Sequence, residues 1–189
     1  DVAGMGRDKS CYIPRQGNYV PEIKCHNSGG HADHMAVAGQ VAHYLSLSPK
    51  NKAFIDTIGE GAGVYSRLIE QKYLTAFSCK FSEGVKNKHD VTGCYSFANM
   101  RAYLFWCIRD WLNPKNGFFA ALPPDDEIDQ ELCEVHWLFQ SDGSIIMEPK
   151  DEIKKRLKRS PDKMDALANT FYPYDYDRDN DLHLLNSIV

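Results

Sequence analysis

The stretch FIDTIGEGAGVYSRL, Phe54 to Leu68, decides how the chain folds around one acidic residue. Three glycines, Gly59, Gly61 and Gly63, separate an apolar, strand-like run from a helix-like one. Glycines let the backbone leave a strand sharply, and Asp56 stands at the strand end just before them. The stretch therefore predicts either a nucleotide-binding loop or a carboxylate presented at the edge of a sheet.

The known nucleotide-binding patterns do not fit these glycines. A triphosphate-binding loop reads GxxxxGK[ST], with a lysine for the β and γ phosphates, whereas Val64 and Tyr65 follow Gly63. A dinucleotide fingerprint, GxGxxG, fails on its last spacing because the run is GEGAG. The glycines therefore predict that Asp56 stands at the sheet edge as a cation ligand, with a turn or cap aspartate as the alternative.

The composition is that of one medium-sized globular domain. The chain has 189 residues, of which 43% are hydrophobic and 25% are charged. A domain of this size can bury about 70% of its unfolded surface without disulfides. The net charge of −4 means that affinity for a polyanion must come from a local patch. No apolar run approaches the roughly 20 residues of a membrane helix, so no membrane partner is expected.

Six cysteines are spread along the chain, with neither a CxxC pair nor a zinc-like Cys/His cluster. They are Cys11, Cys25, Cys79, Cys94, Cys107 and Cys133. This spacing favours reduced thiols. We expect all six to be reduced and mostly buried, in a cytosolic type of compartment.

Hydrophobic periodicity predicts a hairpin first, and then strands that alternate with helices. The predicted strands are 9–14, 19–26, 52–58, 72–81, 137–140 and 144–147, with hairpin turns at 15–18 and 141–143. The predicted helices are 33–45, 63–71, 99–112, 125–133, 149–157 and 161–171. This order predicts an α/β fold: a mixed central β-sheet flanked by helices, with an additional β-hairpin.

A second acidic motif, SPDKMDALANTF, begins at Ser160, a candidate N-cap, with Pro161 suited to the first helical position. Asp162 and Asp165 are three residues apart, so both project from one face of the first helical turns. First-turn acids favour the helix dipole by about 0.3–1 kcal/mol each. That explains Asp162 better than Asp165, because small apolar residues suited to packing follow the latter.

Three separate segments thus offer an aspartate, because Asp1 stands near the end of a first strand. Carboxylate oxygens without histidine partners suit Mg²⁺ or Mn²⁺. Two such ions can clamp a phosphodiester during hydrolysis.

Four blocks in order, DVAGMGRDKS, FIDTIGEGAGVYSRL, AYLFWCIRDWLN with LPPDDEIDQEL, and RSPDKMDALANTF, resemble the nuclease domain of a tailed-bacteriophage large terminase. The resemblance extends from Asp1 to about Phe171. It implies a ribonuclease H-like fold of the resolvase and integrase superfamily. It also implies an endonuclease that uses two Mg²⁺ or Mn²⁺ ions to cut concatemeric viral double-stranded DNA during packaging.

The resemblance assigns catalytic and metal-binding roles to four residues: Asp1, Asp56, Asp162 and Asp165. It leaves open which member of the Asp162/Asp165 pair is the primary ligand and whether Asp8 assists. The first strand starts at its aspartate, so we expect a strand truncated at its start, with the position of Asp1 open.

The family context implies further partners. Large terminases carry an N-terminal packaging ATPase, and no Walker motif is present here, so the chain is expected to be the nuclease half. The implied partners are viral DNA, the portal, the small terminase subunit and the ATPase domain, in the host-cell cytoplasm. The nuclease domain is predicted to span 1–171, and the acidic segment 172–189 to form a mobile tail whose LHLL run is a candidate portal anchor.

A basic run directly precedes the second acidic motif. Residues 150–159 hold six basic and two acidic side chains, a net charge of +4. A solvated helix face is the simple explanation, but the neighbouring acids favour contact with DNA phosphates, which carry no sequence information. The predicted DNA-binding residues are Lys150, Lys154, Lys155, Arg156, Lys158 and Arg159.

Two other functions remain open on the sequence. One is a resolvase-like nuclease that acts on branched DNA. The other is a non-catalytic module of the same fold, which binds DNA or a protein partner while its acids only cap helices and form turns.

Overall fold

The computed structural model describes residues 1–4, 8–27 and 33–173. Within these ranges its strands are β1 (Lys9–Tyr12), β2 (Lys24–Asn27), β3 (Ala53–Asp56), β4 (Ala76–Cys79), β5 (Trp137–Phe139) and β6 (Ile145–Met147). Its helices are α1 (His34–Ser46), α2 (Gly61–Glu70), α3 (Met100–Leu112), α4 (Asp126–Glu134), α5 (Lys150–Leu157) and α6 (Asp162–Asn169), with one 3₁₀ turn at Pro114–Asn116. The predicted α/β class and element order are confirmed.

The strands pair two by two. β1 and β2 are antiparallel, while β3 and β4 are parallel and place Asp56 opposite Cys79. β5 and β6 form the predicted hairpin, whose turn contains Gly143 at φ +81°. The first predicted turn is also present, since Gln16 pairs with Tyr19, but β2 begins only at Lys24.

Asp1 continues the sheet beside β1. The terminal amino group of Asp1 donates to the Cys11 carbonyl, and the Cys11 N–H donates to the Asp1 carbonyl, each at 3.0 Å. The N–H of Ala3 donates to the Ser10 hydroxyl at 2.9 Å. Residues 1–3 therefore run antiparallel to β1, which gives Asp1 a defined place.

Helix α6 lies at the centre of the core. It is buried along its whole length and contacts α3, α4, β1 and β3. The hydrophobic stripe of α3, with Leu104, Ile108 and Trp111, belongs to the same cluster. Because α6 touches both β1 and β3, it places Asp162 against β1 and Asp165 near Asp56 at the end of β3.

The cysteine prediction is wrong for two of the six residues. Cys11 and Cys25 form a disulfide, because the antiparallel register of β1 and β2 sets them opposite each other. Burial is also less general than predicted: Cys79 is buried, but Cys94 and Cys133 are exposed.

The predicted tail begins inside the fold. Tyr172 is buried, and its hydroxyl donates to Glu83 at 3.0 Å. Residues 174–189, including the LHLL run, lie outside the described residues. Among the helices that the structure describes, none is both long and apolar enough to cross a bilayer.

Candidate metal centre

The glycines after β3 allow a close backbone approach. A Cβ atom on Gly61 would lie 1.9 Å from the carbonyl oxygen of Asp56, so only glycine lets α2 begin so near the strand end. Gly59 adopts a left-handed conformation with φ +96°. The Oδ1 atom of Asp56 accepts the N–H of Ile58 at 2.9 Å. The turn thus fixes the Asp56 carboxylate at the end of the strand.

The electrostatic environment of Asp56 differs from that of an ordinary turn aspartate, because a second carboxylate acts on it. Burial raises the pKa of Asp56, and the negative charge of Asp165 raises it further, against the opposing effects of the Ile58 N–H and of Lys150. A turn needs no second carboxylate. Two like charges held near each other indicate a site that is suited to a cation.

Asp165 is the partner of Asp56 on α6. Its side chain is only 5% exposed, and its Oδ2 atom accepts from the Lys150 ammonium at 2.6 Å. Its Oδ1 atom is buried and has no hydrogen-bond partner among the described residues. Burial disfavours the charged form of Lys150, but Asp165 outweighs this effect, and the pKa of Lys150 is raised. The Lys150 ammonium therefore balances the charge of Asp165, while Oδ1 of Asp165 has no hydrogen-bond partner in the described chain.

Asp162 has a different environment from Asp165. Its Oδ2 atom accepts the backbone N–H of Lys9 at 2.8 Å, which ties the start of α6 to β1. It also lines a cavity of about 400 Å³ that is bounded by β1, α4 and the α5–α6 turn. Asp8, the predicted auxiliary acid, lines the same cavity and pairs with Lys154 at 3.5 Å.

The predicted acids share one neighbourhood. The carboxylates of Asp165, Asp56 and Asp162 all act electrostatically on the amino group of Asp1. No three Asp, Glu, His or Cys side chains of the described chain converge closely enough to form a metal-ligand cluster. The donors nevertheless fit a hard divalent cation, because they are carboxylate oxygens and one of them, Oδ1 of Asp165, is buried without a partner in the part of the chain that the structure describes.

The start of α6 is held by a residue that the sequence did not reveal. Ser160 does not cap the helix, contrary to the prediction, because its buried hydroxyl has no partner in the described chain. Instead Glu131 of α4 accepts the N–H of Met164 at 2.8 Å and a guanidinium N–H of Arg159 at 2.9 Å. Burial raises the pKa of Glu131 to about 7 despite these donors. Glu131 shares a face of α4 with Ile128, and both are buried, but an acid three residues after an isoleucine does not by itself predict a cap for another helix.

We expect Glu131→Ala to lower the free energy of unfolding by about 1–3 kcal/mol, because it leaves a helix N–H and a guanidinium without their acceptor. Ser160→Ala is the matched control and should stay within about 0.5 kcal/mol of the wild type, because no cap is lost. Urea denaturation followed by circular dichroism measures both. If Ser160→Ala lowered the free energy of unfolding more than Glu131→Ala did, Ser160 would be the cap.

Several predicted DNA-binding residues are paired within the protein. Lys150 contacts Asp165, Arg156 contacts Glu148, and Arg159 contacts Glu131. Lys154 and Lys155 form longer or more exposed pairs with Asp8 and Glu152. Lys158 is exposed and makes no ion pair with a described residue. The three lysines that follow Ile153 therefore remain as the outward-facing part of the set.

The structure is similar to that of the nuclease domain of the large terminase subunit gp2 of bacterial virus Sf6. The TM-score is 0.69 at 20% identity, over 92% of this chain and 86% of that chain. A lysine-to-alanine mutant of that domain, with manganese and beta-thujaplicinol, gives 0.68 at 19% identity over the same shares. The mutant with calcium gives 0.67 at 20% identity, over 90% of this chain and 86% of that one.

By sequence alone, no protein-family model and no curated protein matches. At such low identity the structural similarity establishes the fold. The predicted ribonuclease H-like class is thereby confirmed.

Proposed function

We propose that this chain is the nuclease domain of a tailed-bacteriophage large terminase, a metal-dependent endonuclease that cuts double-stranded DNA. The observation that carries the proposal is the placement of Asp165 on α6 near Asp56 at the end of β3, with electrostatic coupling between them. This arrangement occurs in a fold shared with the Sf6 nuclease domain. The buried Oδ1 atom of Asp165 has no partner among the described residues, and a buried polar atom without a partner is costly to the fold. This cost favours a cation-binding role over that of a passive module.

Asp56 and Asp165 would be the principal ligands of Mg²⁺ or Mn²⁺, with Asp1 as a third ligand and Asp162 beside them. Two bound ions would supply an activated water and neutralise the leaving oxygen. The protein itself contributes by holding these carboxylates in position. Lys150 holds Asp165 from one side, and Glu131 holds the first turn of the helix that carries it.

The biological setting follows from the same proposal. The substrate would be concatemeric viral DNA, cut in the host-cell cytoplasm as it is packaged. The portal, the small terminase subunit and an ATPase domain would be the partners. A resolvase-like activity on branched DNA is the alternative enzyme.

The direct test is cleavage of supercoiled plasmid by the wild-type chain with Mn²⁺, with Mg²⁺ and with EDTA. We expect nicked and then linear DNA with the metals and none with EDTA, together with a metal-dependent rise in melting temperature. A four-way junction and a linear duplex of equal length serve as paired substrates. Strong preference for the junction would indicate a resolvase, and metal-independent or absent cleavage would overturn the proposal.

The outward-facing lysines give a second prediction. Replacing Lys154, Lys155 and Lys158 by alanine should weaken binding equally for unrelated DNA sequences. It should also reduce the slope of log K against log salt by up to ~0.9 per lost phosphate contact.

Replacing Lys50 and Lys72 is the control, because they precede β3 and β4, at the opposite end of the strands from Asp56. This control should leave the slope unchanged. An unchanged slope in the triple variant would make residues 154–158 a solvated face.

A further inference from the structure

The 400 Å³ cavity beside α6 is lined by both basic and acidic side chains. Its charged lining residues are the basic Lys9, Lys154, Lys158, Arg159 and Lys163 and the acidic Asp8, Glu127, Glu131 and Asp162. Of Asp1, Asp56, Asp162 and Asp165, only Asp162 lines it. The cavity therefore adjoins the candidate metal centre without being part of it.

Each acid of this cavity is already engaged. Glu127 accepts from Lys9 at 2.9 Å and from Lys163 at 2.7 Å. Lys163 also pairs with Asp125, outside the lining, at 2.7 Å. Asp8 pairs with Lys154, and the other two carboxylates accept from Arg159 and from a backbone N–H. Lys158 is left as the basic group without an ion-pair partner in the described chain. An anion that entered the cavity would therefore find an uncompensated ammonium.

Lys158 also has an unusual backbone. It ends α5 in the left-handed conformation, with φ +59°, where glycine is the favoured residue. The cap itself needs only the backbone N–H, which donates to the Lys154 carbonyl at 2.8 Å. The long basic side chain thus contributes nothing to the cap.

Ser160 provides an independent observation. The residue is only 4% exposed, it lines the cavity, and its buried hydroxyl has no partner among the described residues. Buried hydroxyls in folded proteins are nearly always hydrogen-bonded. The first turn of α6 lines the same wall, and the positive end of a helix dipole favours anions.

We propose that this cavity binds a phosphate group, with the Ser160 hydroxyl and the Lys158 ammonium donating to its oxygens. The identity of this phosphate rests on the proposed function. It is a DNA backbone phosphate next to the one that is cut, because the cavity meets the candidate metal centre at Asp162. Serine and lysine side chains are common donors to DNA phosphates. Such a contact fixes the register of the duplex and reads no sequence.

The test is binding of a fluorescein-labelled duplex of mixed sequence to the whole chain, by anisotropy in EDTA over a series of salt concentrations. We expect Ser160→Ala to weaken binding about 5- to 10-fold with an unchanged salt slope, because the lost donor is neutral. Lys158→Gly should weaken binding similarly and reduce the slope by ~0.9. Neither variant should lower the melting temperature, because Ser160 caps no helix and because glycine suits the left-handed conformation of residue 158.

Lys72 offers a matched control. It is an exposed lysine that follows a helix in the left-handed conformation, with φ +63°, and it precedes β4 at the far end of the strands. Lys72→Gly makes the same change in charge and backbone and should bind DNA as the wild type does.

Unchanged affinity in Ser160→Ala would overturn the phosphate site, as would equal losses in Lys72→Gly and Lys158→Gly. A chain that binds DNA as expected but cuts no plasmid would overturn only the proposed function. If the chain cuts plasmid but the variants bind duplex as tightly as the wild type, only the phosphate site would be overturned. The absence of measurable duplex binding by the wild type would also overturn the phosphate site.

Discussion

Asp56→Asn is expected to abolish metal-dependent DNA cleavage and to leave the fold intact. The amide matches the carboxylate in size, and its oxygen can still accept the N–H of Ile58 that Asp56 accepts at 2.9 Å. Loss of a metal ligand removes several kcal/mol of transition-state stabilisation, so the rate should fall by about 1000-fold or more.

The stability of this variant depends on the pKa of Asp56, which burial raises. Because the pKa of Asp56 is higher in the folded state than in the unfolded state, the protonated carboxyl group favours folding at low pH. This contribution to stability is lost as the pH rises through the folded-state pKa of Asp56. At neutral pH the ionised carboxylate therefore costs stability, and asparagine removes that cost. We expect a metal-free melting temperature equal to or slightly above that of the wild type, and no metal-dependent rise.

Plasmid nicking with Mn²⁺ and thermal melting with and without the ion check these expectations. Asp142→Asn is a matched control, because Asp142 accepts the N–H two residues on, from Ser144, at 2.9 Å, as Asp56 does. This control should cut normally. If Asp56 were only a turn residue, its variant would behave like the control, and cleavage within a few-fold of wild type would refute the catalytic role.

The order of the elements could be predicted because it depends on local patterns. The stripe of α3 has helical spacing, and the Asp142–Gly143 turn marks the β5–β6 hairpin. The sharp turn after Asp56 was predictable for the same reason, since Gly61 meets the carbonyl of a residue only five positions away.

The features that the sequence missed depend on contacts between distant segments. The Cys11–Cys25 disulfide depends on the register of β1 and β2 across 14 residues. The cap that Glu131 provides depends on the packing of α4 against α6, and the partner N–H is 33 residues away. Neither contact leaves a pattern within a single element.

The basic run shows the same limit for charge. Its net charge of +4 could be read from the sequence, but the partners of its side chains could not. Arg159 reaches 28 residues back to Glu131, and Lys150 reaches 15 residues forward to Asp165. A local sum of charges therefore overstates the positive surface that is free for DNA.

The choice between Asp162 and Asp165 gives the last prediction, because the structure places the two carboxylates differently. Asp165 is near Asp56 and has one oxygen without a partner among residues 1–4, 8–27 and 33–173, whereas Asp162 accepts the N–H of Lys9. We expect Asp165→Asn to reduce cleavage by about 1000-fold or more. Asp162→Asn should stay within about tenfold of the wild type, because asparagine can still accept the Lys9 N–H.

The two variants make the same chemical change on one helix, three residues apart. Asp165→Asn also leaves the Lys150 ammonium without its carboxylate, so its melting temperature should fall. The double variant Asp165→Asn with Lys150→Gln removes both charges and should recover the melting temperature while cleavage stays lost. That result separates ligand loss from misfolding. If Asp162→Asn also lost cleavage and the metal-dependent rise in melting temperature, both aspartates would be ligands, and the assignment to Asp165 alone would be wrong.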